Sequence, residues 1–390
     1  MKQGYEYKKL GDITYQISDG SHNPPKGIEH SEYPMLSSKN IFFDRYDYES
    51  PRFLSEEDFN IENKRTNISE GDVLLTIVGT VGRTCCIEKN FKPFTLQRSV
   101  AVLKPKKDII DSRYLMYSLH SLSDLWENEA KGVAQKGVYL KQVSNIKISI
   151  PSIKEQKEIV SELDLLGSVI KKQNKILTEL EKLEESVFYN MFGDEIIEKE
   201  RWEVKTLGEV GTFQRGGGFL KKDYVSEGIP CLHYGQIHMI FGVSTSTHLN
   251  CISEETARKT KYASKGDVIF AITSEDVEGS CKSTAWMGNY KIAVGGHTAI
   301  YKHSLNPIYV SYYTKSKRFN QAKAKYAHGF KVVEMKPSDL ALIPIPIPPL
   351  SLQQVFSAKI EAIESMKAKV SQSLKETEKL FNSRMDFYFN

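Results

Sequence analysis

One long amphipathic stretch, Ile150 to Gly193, most constrains what this sequence can fold into. Polar Gln173 and Glu184 interrupt its apolar seam, so packing there is expected to be weaker or to set the register. A helix of about 40 residues would be about 60 Å long, which is too long for one compact core, so it needs a partner helix. The seam residues alternate in steps of about four and three, as the a and d positions of a coiled coil do: Ile159, Leu163, Leu166, Ile170, Leu177, Leu180 and Val187.

The partner helix is predicted within the same chain, because the sequence repeats itself. Pro151 recurs 197 residues later as Pro348, and at the same offset Gln156 matches Gln353. A repeat this long indicates a duplicated domain rather than a solenoid. The second stretch carries its own seam, at Phe356, Ile360, Ile363, Val370 and Leu374.

The duplication predicts an α+β protein. Two similar mixed α/β domains are expected, separated by two long antiparallel coiled-coil helices. Each copy consists of a globular segment followed by a long helix, and the helix pair joins the copies. The predicted boundaries are 1–151 for the first domain, 152–193 for the central helix, 194–348 for the second domain and 349–390 for the C-terminal helix.

Matching turn and cap signals occur in both copies. Gly71-Asp72 precedes an apolar strand-like run, as Gly266-Asp267 does in the second copy. Asp111 and Asn306 are predicted to cap equivalent helices, and Leu36 to Phe43 has strand composition. Between these signals the copies diverge, as in SDGSHNPPKG against FQRGGGFLKK. A common scaffold with unlike loops suggests two related modules that bind different things.

Composition sets broad limits. The formal charge of +4 is mild and neither demands nor excludes nucleic acid. No apolar run approaches the length of a membrane span, and no secretory signal is evident at the start, so a cytoplasmic location is expected. The five cysteines lack metal-ligand spacing and are expected to be reduced thiols: Cys85, Cys86, Cys231, Cys251 and Cys281.

Several motifs together carry a resemblance to a known family. The twin sequences IPSIKEQKEIV and IPPLSLQQVFS each open a long helix, and the copies begin with LGDI and LGEV. The GDV strand openings and the SDGSH loop at Ser18 to His22 agree with them. On these features the whole chain resembles the specificity subunit of a type I restriction-modification system.

The resemblance implies a function and a set of partners. Each target-recognition domain would read one half of a bipartite site in double-stranded DNA. The subunit itself would be non-catalytic and would hold no cofactor or metal. It would assemble with two adenine-N6 methyltransferase subunits, which bind S-adenosylmethionine, and with restriction subunits where these are present.

Two other functions stay open from the residues alone. The chain could be a self-contained adenine-N6 DNA methyltransferase, or a coiled-coil assembly scaffold that does not bind DNA. Asn23-Pro24-Pro25 is similar to the methyltransferase motif Asn-Pro-Pro-aromatic, but Lys26 replaces the aromatic residue. Gly216 to Gly218 lacks the Gly-Lys-Ser/Thr ending of a phosphate-binding loop, so a flexible loop is favoured.

Basic and amide side chains are the candidates for DNA contact. Lys315 to Lys336 holds seven Lys or Arg against one Glu, and such a segment can neutralise phosphates. Arg pairs bidentately with guanine, and Asn or Gln with adenine. The candidates in the first copy are Asn23, Lys39, Asn40, Arg83, Gln97, Arg98, Gln135 and Lys136. Those in the second copy are Gln214, Arg215, Lys221, Lys222, His233, Gln236, Lys282, Lys323, Lys325 and Lys331.

Overall fold

The chain forms two compact units in the computed structural model. The structure describes residues 5–123, 125–126, 137–193, 201–277, 279–326 and 333–390. The first unit comprises Met1–Asn174 with Ser373–Asn390, and the second comprises Lys175–Gln372. Both boundaries fall inside long helices, so each unit contains part of each long helix.

The first unit combines short strands with helices. Its helices are α1 (Leu10–Ile13), α2 (Glu56–Thr66), α3 (Ser112–His120), α4 (Leu140–Asn145) and the first part of α5 (Ile153–Phe192). Its strands are β1 (Glu6–Lys9), β2 (Thr14–Asp19), β3 (Pro34–Leu36), β4 (Ile41–Phe42), β5 (Arg45–Tyr46), β6 (Arg52–Phe53), β7 (Val73–Thr76), β8 (Thr84–Cys86), β9 (Thr95–Leu96), β10 (Val100–Pro105) and β11 (Lys147–Ile150).

A four-stranded antiparallel sheet in the order β2-β10-β7-β8 forms the centre of the first unit. β7 reads Val-Leu-Leu-Thr and is buried at every position, because side chains on its two faces enter different cores. Val73 packs towards α3 and the long helices, whereas Leu74 packs towards a three-stranded sheet in the order β6-β3-β9. The pairs β1-β11 and β4-β5 complete the unit.

The second unit has its own set of elements. Its helices are the remainder of α5, then α6 (Leu207–Val210), α7 (Tyr234–Met239), α8 (Glu254–Ala257), α9 (Pro307–Tyr313), α10 (Lys317–Lys323), α11 (Pro337–Leu340) and most of α12 (Leu350–Phe389). Its strands are β12 (Val204–Thr206), β13 (Gly211–Arg215), β14 (Tyr224–Val225), β15 (Ile229–Leu232), β16 (Ser244–Thr245), β17 (Asn250–Ile252), β18 (Lys261–Ala263), β19 (Val268–Ala271), β20 (Thr273–Ser274), β21 (Ser283–Trp286), β22 (Ile292–Val294), β23 (Thr298–His303), β24 (Val333–Glu334) and β25 (Pro344–Pro346).

The sheets of the second unit repeat those of the first. The order β13-β23-β19-β21 reproduces β2-β10-β7-β8, with β16 added at one edge. The order β17-β15-β22 likewise reproduces β6-β3-β9, with β14 and β18 added outside it. β12 pairs with β25 as β1 pairs with β11. The predicted duplication is therefore confirmed at the level of strand order and pairing.

Local signals from the sequence are mostly confirmed. Asp111 accepts hydrogen bonds from two backbone amides of α3, and Asn306 does the same for α9. Gly71 and Gly266 have φ angles of 85° and 92°, a left-handed conformation that glycine adopts without strain. The prediction for Leu36 to Phe43 was wrong, because a 3₁₀ helix at Ser38–Asn40 separates two short strands there.

Both long helices form as predicted, and each spans 40 residues. α5 ends at Phe192, and the following Gly193, with a φ of 90°, stops the helix. Among the described helices, none combines the length and apolar character that crossing a membrane requires.

The helix seams have buried apolar residues in both units. In the first unit Ile159 and Leu163 pack with Phe381 and Met385, and Leu166 and Ile170 are half-buried beside them. In the second unit Phe356 and Ile360 share a core with Phe188, while Val187 is half-buried against it. The remaining predicted seam positions are buried or half-buried: Leu177, Leu180, Ile363, Val370 and Leu374.

The polar interruptions of the seam take part in contacts between the two helices. In the first unit Gln173 donates to Ser373 Oγ over 2.9 Å. In the second unit Glu184 lies 3.3 Å from the ammonium of Lys367. Within the first unit Glu162 also contacts Arg384, so partners later in one helix lie earlier in the other, and the pairing is antiparallel.

A buried glutamine ties each long helix to its unit. The Gln156 Oε1 accepts from the Asp111 amide over 2.8 Å, and its Nε2 donates to the Pro151 carbonyl. The Gln353 Oε1 accepts from the Asn306 amide over 2.9 Å, and its Nε2 donates to the Pro348 carbonyl. Both side chains are almost fully buried. The sequence repeat therefore preserves a hydrogen-bonded junction between a helix cap and a long helix.

Removing one of these glutamines is expected to destabilise its unit. Gln353→Ala leaves the partly buried Asn306 amide and the buried Pro348 carbonyl unpaired, which should lower the free energy of unfolding by about 2–4 kcal/mol. The exposed neighbour Gln354 provides a control, since Gln354→Ala should stay within about 0.5 kcal/mol of the parent. Urea unfolding measures both, and equal effects of the two changes would contradict this role.

Candidate nucleic-acid interface

The predicted DNA-contact residues differ widely in exposure. Arg83 and Gln97 are half-buried. The Arg83 guanidinium donates to the Ile41 carbonyl over 3.2 Å and lies over the Phe42 ring. Gln135, Lys136 and Lys331 lie outside the described residues. The exposed candidates are Asn23, Lys39, Arg98, Gln214, Arg215, Lys221, Lys222, Lys282 and Lys325.

Asn40 is buried and committed to its own unit. Its Oδ1 accepts from the Ser37 amide over 3.1 Å, and its Nδ2 donates to Asp47 and to the Glu49 carbonyl. These bonds close the 3₁₀ turn that interrupts the predicted strand. Because its amide group is used internally, we leave Asn40 out of the interface.

His233 and Gln236 form a cap at the start of α7 rather than a free surface. The Gln236 Oε1 accepts from the His233 amide over 2.8 Å, and its Nε2 donates to Asn250 Oδ1 over 2.7 Å. Burial lowers the pKa of His233 to about 4, helped by the charge of Lys221. A buried, neutral imidazole does not contact phosphate, so both residues are also left out.

Lys323 is buried as well, with 3% exposure. Its ammonium donates to the Ser280 carbonyl over 2.7 Å. The cations of the basic segment Lys315 to Lys336 therefore do not all face solvent, because Lys323 is buried whereas Lys325 is exposed. The expectation that Lys323 contacts a phosphate was wrong for this reason.

A cavity of about 440 Å³ in the first unit collects charged groups at the end of β2. Asp19, His22, Arg65 and Arg98 line it, beside the apolar Ile77 and Val78. Asp19 is buried, and its carboxylate lies 2.7 Å from His22 Nε2 and 2.5 Å from Arg65 Nη2. The buried Asp19 carboxylate therefore holds two exposed side chains in place, those of His22 and Arg65.

A cavity of about 370 Å³ in the second unit has several hydrogen-bond donors in its lining, beside the apolar Ile237 and Phe241. Lys282, Lys315 and Lys323 contribute ammonium groups, and Asn320 contributes an amide. The ammonium of Lys323 is already bonded to Ser280, so Lys282 and Lys315 are the exposed cations there. Among the residues that the structure describes, no group of three or more His, Cys, Asp or Glu could hold a metal.

Comparison with known families matches this duplicated architecture. The family described as the type I restriction modification DNA specificity domain matches twice, over residues 2–182 and 199–377. This chain belongs to that family. As a specificity subunit, it provides DNA recognition in a type I restriction-modification system. The resemblance seen in the sequence is confirmed.

Individual relatives are distant, and some of them match most of the chain whereas others match less than half of it. The specificity subunit of the type I restriction enzyme MjaVIII of Methanocaldococcus jannaschii is 23% identical, over 93% of this chain and 87% of the relative. The Escherichia coli EcoBI specificity subunit is 31% identical, over 40% of this chain and 34% of its own length. The crystal structure of an S subunit from M. genitalium has a TM-score of 0.62 at 12% identity, covering 100% of this chain and 98% of the other. That similarity confirms the predicted fold.

Sequence reasoning missed part of the charged cluster in this specificity subunit. Arg65 was not among the candidates, because it lies near the end of α2 among residues of both charges and nothing in the sequence distinguishes it. Asp19 and His22 belong to the SDGSH loop, which carried the family resemblance but was not assigned a contact. The cluster of Asp19, His22 and Arg65 is complete only when α2 packs beside the end of β2.

Proposed function

We propose that this specificity subunit reads a bipartite site in double-stranded DNA, one half with each unit, and performs no chemistry itself. The main observation in favour of this proposal is that the two units share one arrangement of strands but differ in the residues around it. A Cβ at Gly20 would lie 2.1 Å from the Leu96 carbonyl oxygen, and one at Gly216 would lie 2.1 Å from that of Gly295. These glycines are equivalent, yet Asp19 precedes the first and Arg215 precedes the second. The end of this repeated strand therefore differs between the units, with a buried Asp19 in the first and an exposed Arg215 in the second, which suits two different half-sites.

The proposed partners are two adenine-N6 methyltransferase subunits that carry S-adenosylmethionine, with restriction subunits where the system has them. Exposed apolar side chains on the long helices support such an assembly. In the second unit Ile176 and Leu183 are seven residues apart on α5, so they share a face. In the first unit Leu380 and Phe387 have the same spacing on α12. Exposed apolar residues at helical spacing fit docking of partner helices.

A self-contained methyltransferase is less well supported. The motif similar to Asn-Pro-Pro-aromatic would need a proline carbonyl to hold the target amino group. Here the Pro24 and Pro25 carbonyls accept from Arg52 Nη1 over 3.3 and 2.7 Å. Arg52 therefore already bonds to both carbonyls and would compete with a target amino group for them.

The proposal predicts that the methyltransferase subunits transfer the methyl group and that this chain selects the site. The purified chain should transfer no methyl group from S-adenosylmethionine to duplex DNA. With the methyltransferase subunits added, adenine methylation should appear at one bipartite motif. Methyl transfer is measured with labelled S-adenosylmethionine, and the motif is mapped by sequencing. Transfer by the chain alone would contradict the proposal, as would methylation at a continuous motif.

A further inference from the structure

Arg65 in the first unit is held along one edge of its guanidinium. Its Nε donates to the Asp19 carbonyl over 2.8 Å, and its Nη2 donates to the Asp19 carboxylate over 2.5 Å. The side chain is nevertheless half exposed, at 50%. A guanidinium has five N–H groups in a rigid plane. Fixing Nε and one Nη2 hydrogen leaves the end of the fork, Nη1 with the second Nη2 hydrogen, directed away from Asp19.

Arg215 in the second unit is held in the same way by different residues. Its Nε donates to the Gly296 carbonyl over 3.3 Å, and its Nη2 donates to the Glu334 carboxylate over 2.6 Å. Its side chain is 52% exposed. In both units, therefore, one backbone carbonyl and one carboxylate hold the Nε and Nη2 side of an exposed guanidinium. In the first unit the Nε2 atom of the exposed His22 also lies 3.5 Å from Arg65 Nη2, so Nη1 is the end of that fork that points away from the cluster.

The two arginines are both held beside the end of the same repeated strand, although they come from different parts of the chain. Asp19 ends β2 and Arg215 ends β13, and these strands occupy the same edge of the repeated central sheet. In the first unit the strand supplies the carboxylate and α2 supplies the arginine. In the second unit the strand supplies the arginine and β24 supplies the carboxylate. The oriented fork is thus common to both units, whereas its position in the sequence is not.

An oriented guanidinium fork has a defined recognition chemistry. Arginine donates two parallel hydrogen bonds to O6 and N7 of guanine in the major groove, and this is the commonest specific base contact. Holding the plane rigid reduces the rotamer freedom lost on binding and rejects bases that present a donor there. A lysine at the same place could reach a phosphate but could not form the paired bonds.

We propose that Arg65 and Arg215 each read one guanine, the first in one half-site and the second in the other. Asp19 and Glu334 are positioning residues that aim the two forks. This inference rests on the proposed function, because it assigns a base to each of two half-sites.

The test uses charge-conserving variants of the full chain in cells that carry it with its methyltransferase subunits. Adenine methylation is mapped across the genome for the parent, for Arg65→Lys and for Arg215→Lys. Each variant should accept other base pairs at one former G·C position, with methylation at those sites rising about ten-fold or more relative to the parent. Each variant also serves as the control for the other, because the half-site read by the unchanged unit should stay as it was.

Positioning variants separate a base contact from a phosphate contact. Glu334→Gln removes the carboxylate charge that aims Arg215 and should relax the same base pair as Arg215→Lys. Asp19→Asn should do so for Arg65, and if its buried site does not tolerate the change, the exposed pair of Arg215 and Glu334 still tests the idea. A motif that stays unchanged in Arg215→Lys, or methylation that weakens uniformly at every site, overturns the proposal. A parent chain that yields no bipartite motif overturns the proposed function instead.

Discussion

Replacing residues 1–151 with the corresponding domain of another specificity subunit is expected to change one half of the methylated motif and leave the other half intact. Replacing 194–348 should do the reverse. The hydrophobic clusters of the described residues support this independence, since the cluster around β7 draws only on the first unit and the cluster around β19 only on the second. Each set of loops is therefore positioned by its own core.

The junction with the long helices decides whether such a replacement folds. In the first unit Gln156 bonds to the Asp111 amide across the 151/152 boundary, and Ile159 and Leu163 complete the core. A donor domain must therefore supply an equivalent cap and a compatible apolar surface. A donor matched in this way is compared with an unmatched one by urea unfolding before methylation is mapped. A folded hybrid in which both halves of the motif change together would contradict the two-module account.

The fold was largely predictable because its main signals are local or repeated. Pro151 and Pro348, the glutamines that follow them and the heptad seams all lie in short patterns with direct geometric consequences. Leu36 to Phe43 was less predictable, since Asn40 uses its side chain to close a turn with Asp47 and Glu49. Side-chain hydrogen bonds of this kind compete with strand formation. Which of the two forms depends on residues that come close only in the folded chain, and strand composition does not show them.

The interface was less predictable than the fold, because charge alone does not tell which way a side chain points. Lys323 and Lys325 are two residues apart in one basic segment, yet one is buried and the other is exposed. His233 and Gln236 have the chemistry of base readers but are used to cap α7. Arg65 depends on a partner 46 residues away, and a contact at that distance has no signal in a single sequence.

Glu184 is expected to make the stability of the second unit depend on pH between about 5 and 7. It is 3% exposed within the helix seam. Burial raises its pKa to about 7, helped by a hydrogen bond with Glu364 and by the charge of that carboxyl. The ordinary value is 4.5, so over this range the folded unit holds a proton that the unfolded chain has lost. Unfolding free energy therefore falls as pH rises, because the unfolded state binds fewer protons.

The surrounding charges reduce this loss of stability at higher pH but do not cancel it. The Lys367 ammonium bridges the two carboxylates, 3.3 Å from Glu184 and 3.1 Å from Glu364, and the charge of Lys315 acts on both in the same direction. Burial tends to raise the pKa of Glu364, but its hydrogen bond with Glu184 and the charge of Lys367 lower it overall. Its own contribution to stability is therefore lost only in more acidic solution. Above pH 7 both carboxylates are charged, and the net loss should be on the order of 2 kcal/mol.

Glu184→Gln should remove most of this dependence, since the amide keeps the shape and hydrogen bonding but carries no charge. We expect its unfolding free energy at pH 8 to exceed that of the parent by about 2 kcal/mol, with little difference at pH 5. Glu185→Gln, at an exposed neighbour, is the matched control and should follow the parent. In a Trp126→Phe background, the remaining tryptophans, Trp202 and Trp286, both belong to the second unit, so fluorescence during urea unfolding reports on it. If Glu184→Gln lost stability from pH 5 to pH 8 as the parent does, another group would have to account for the pH dependence.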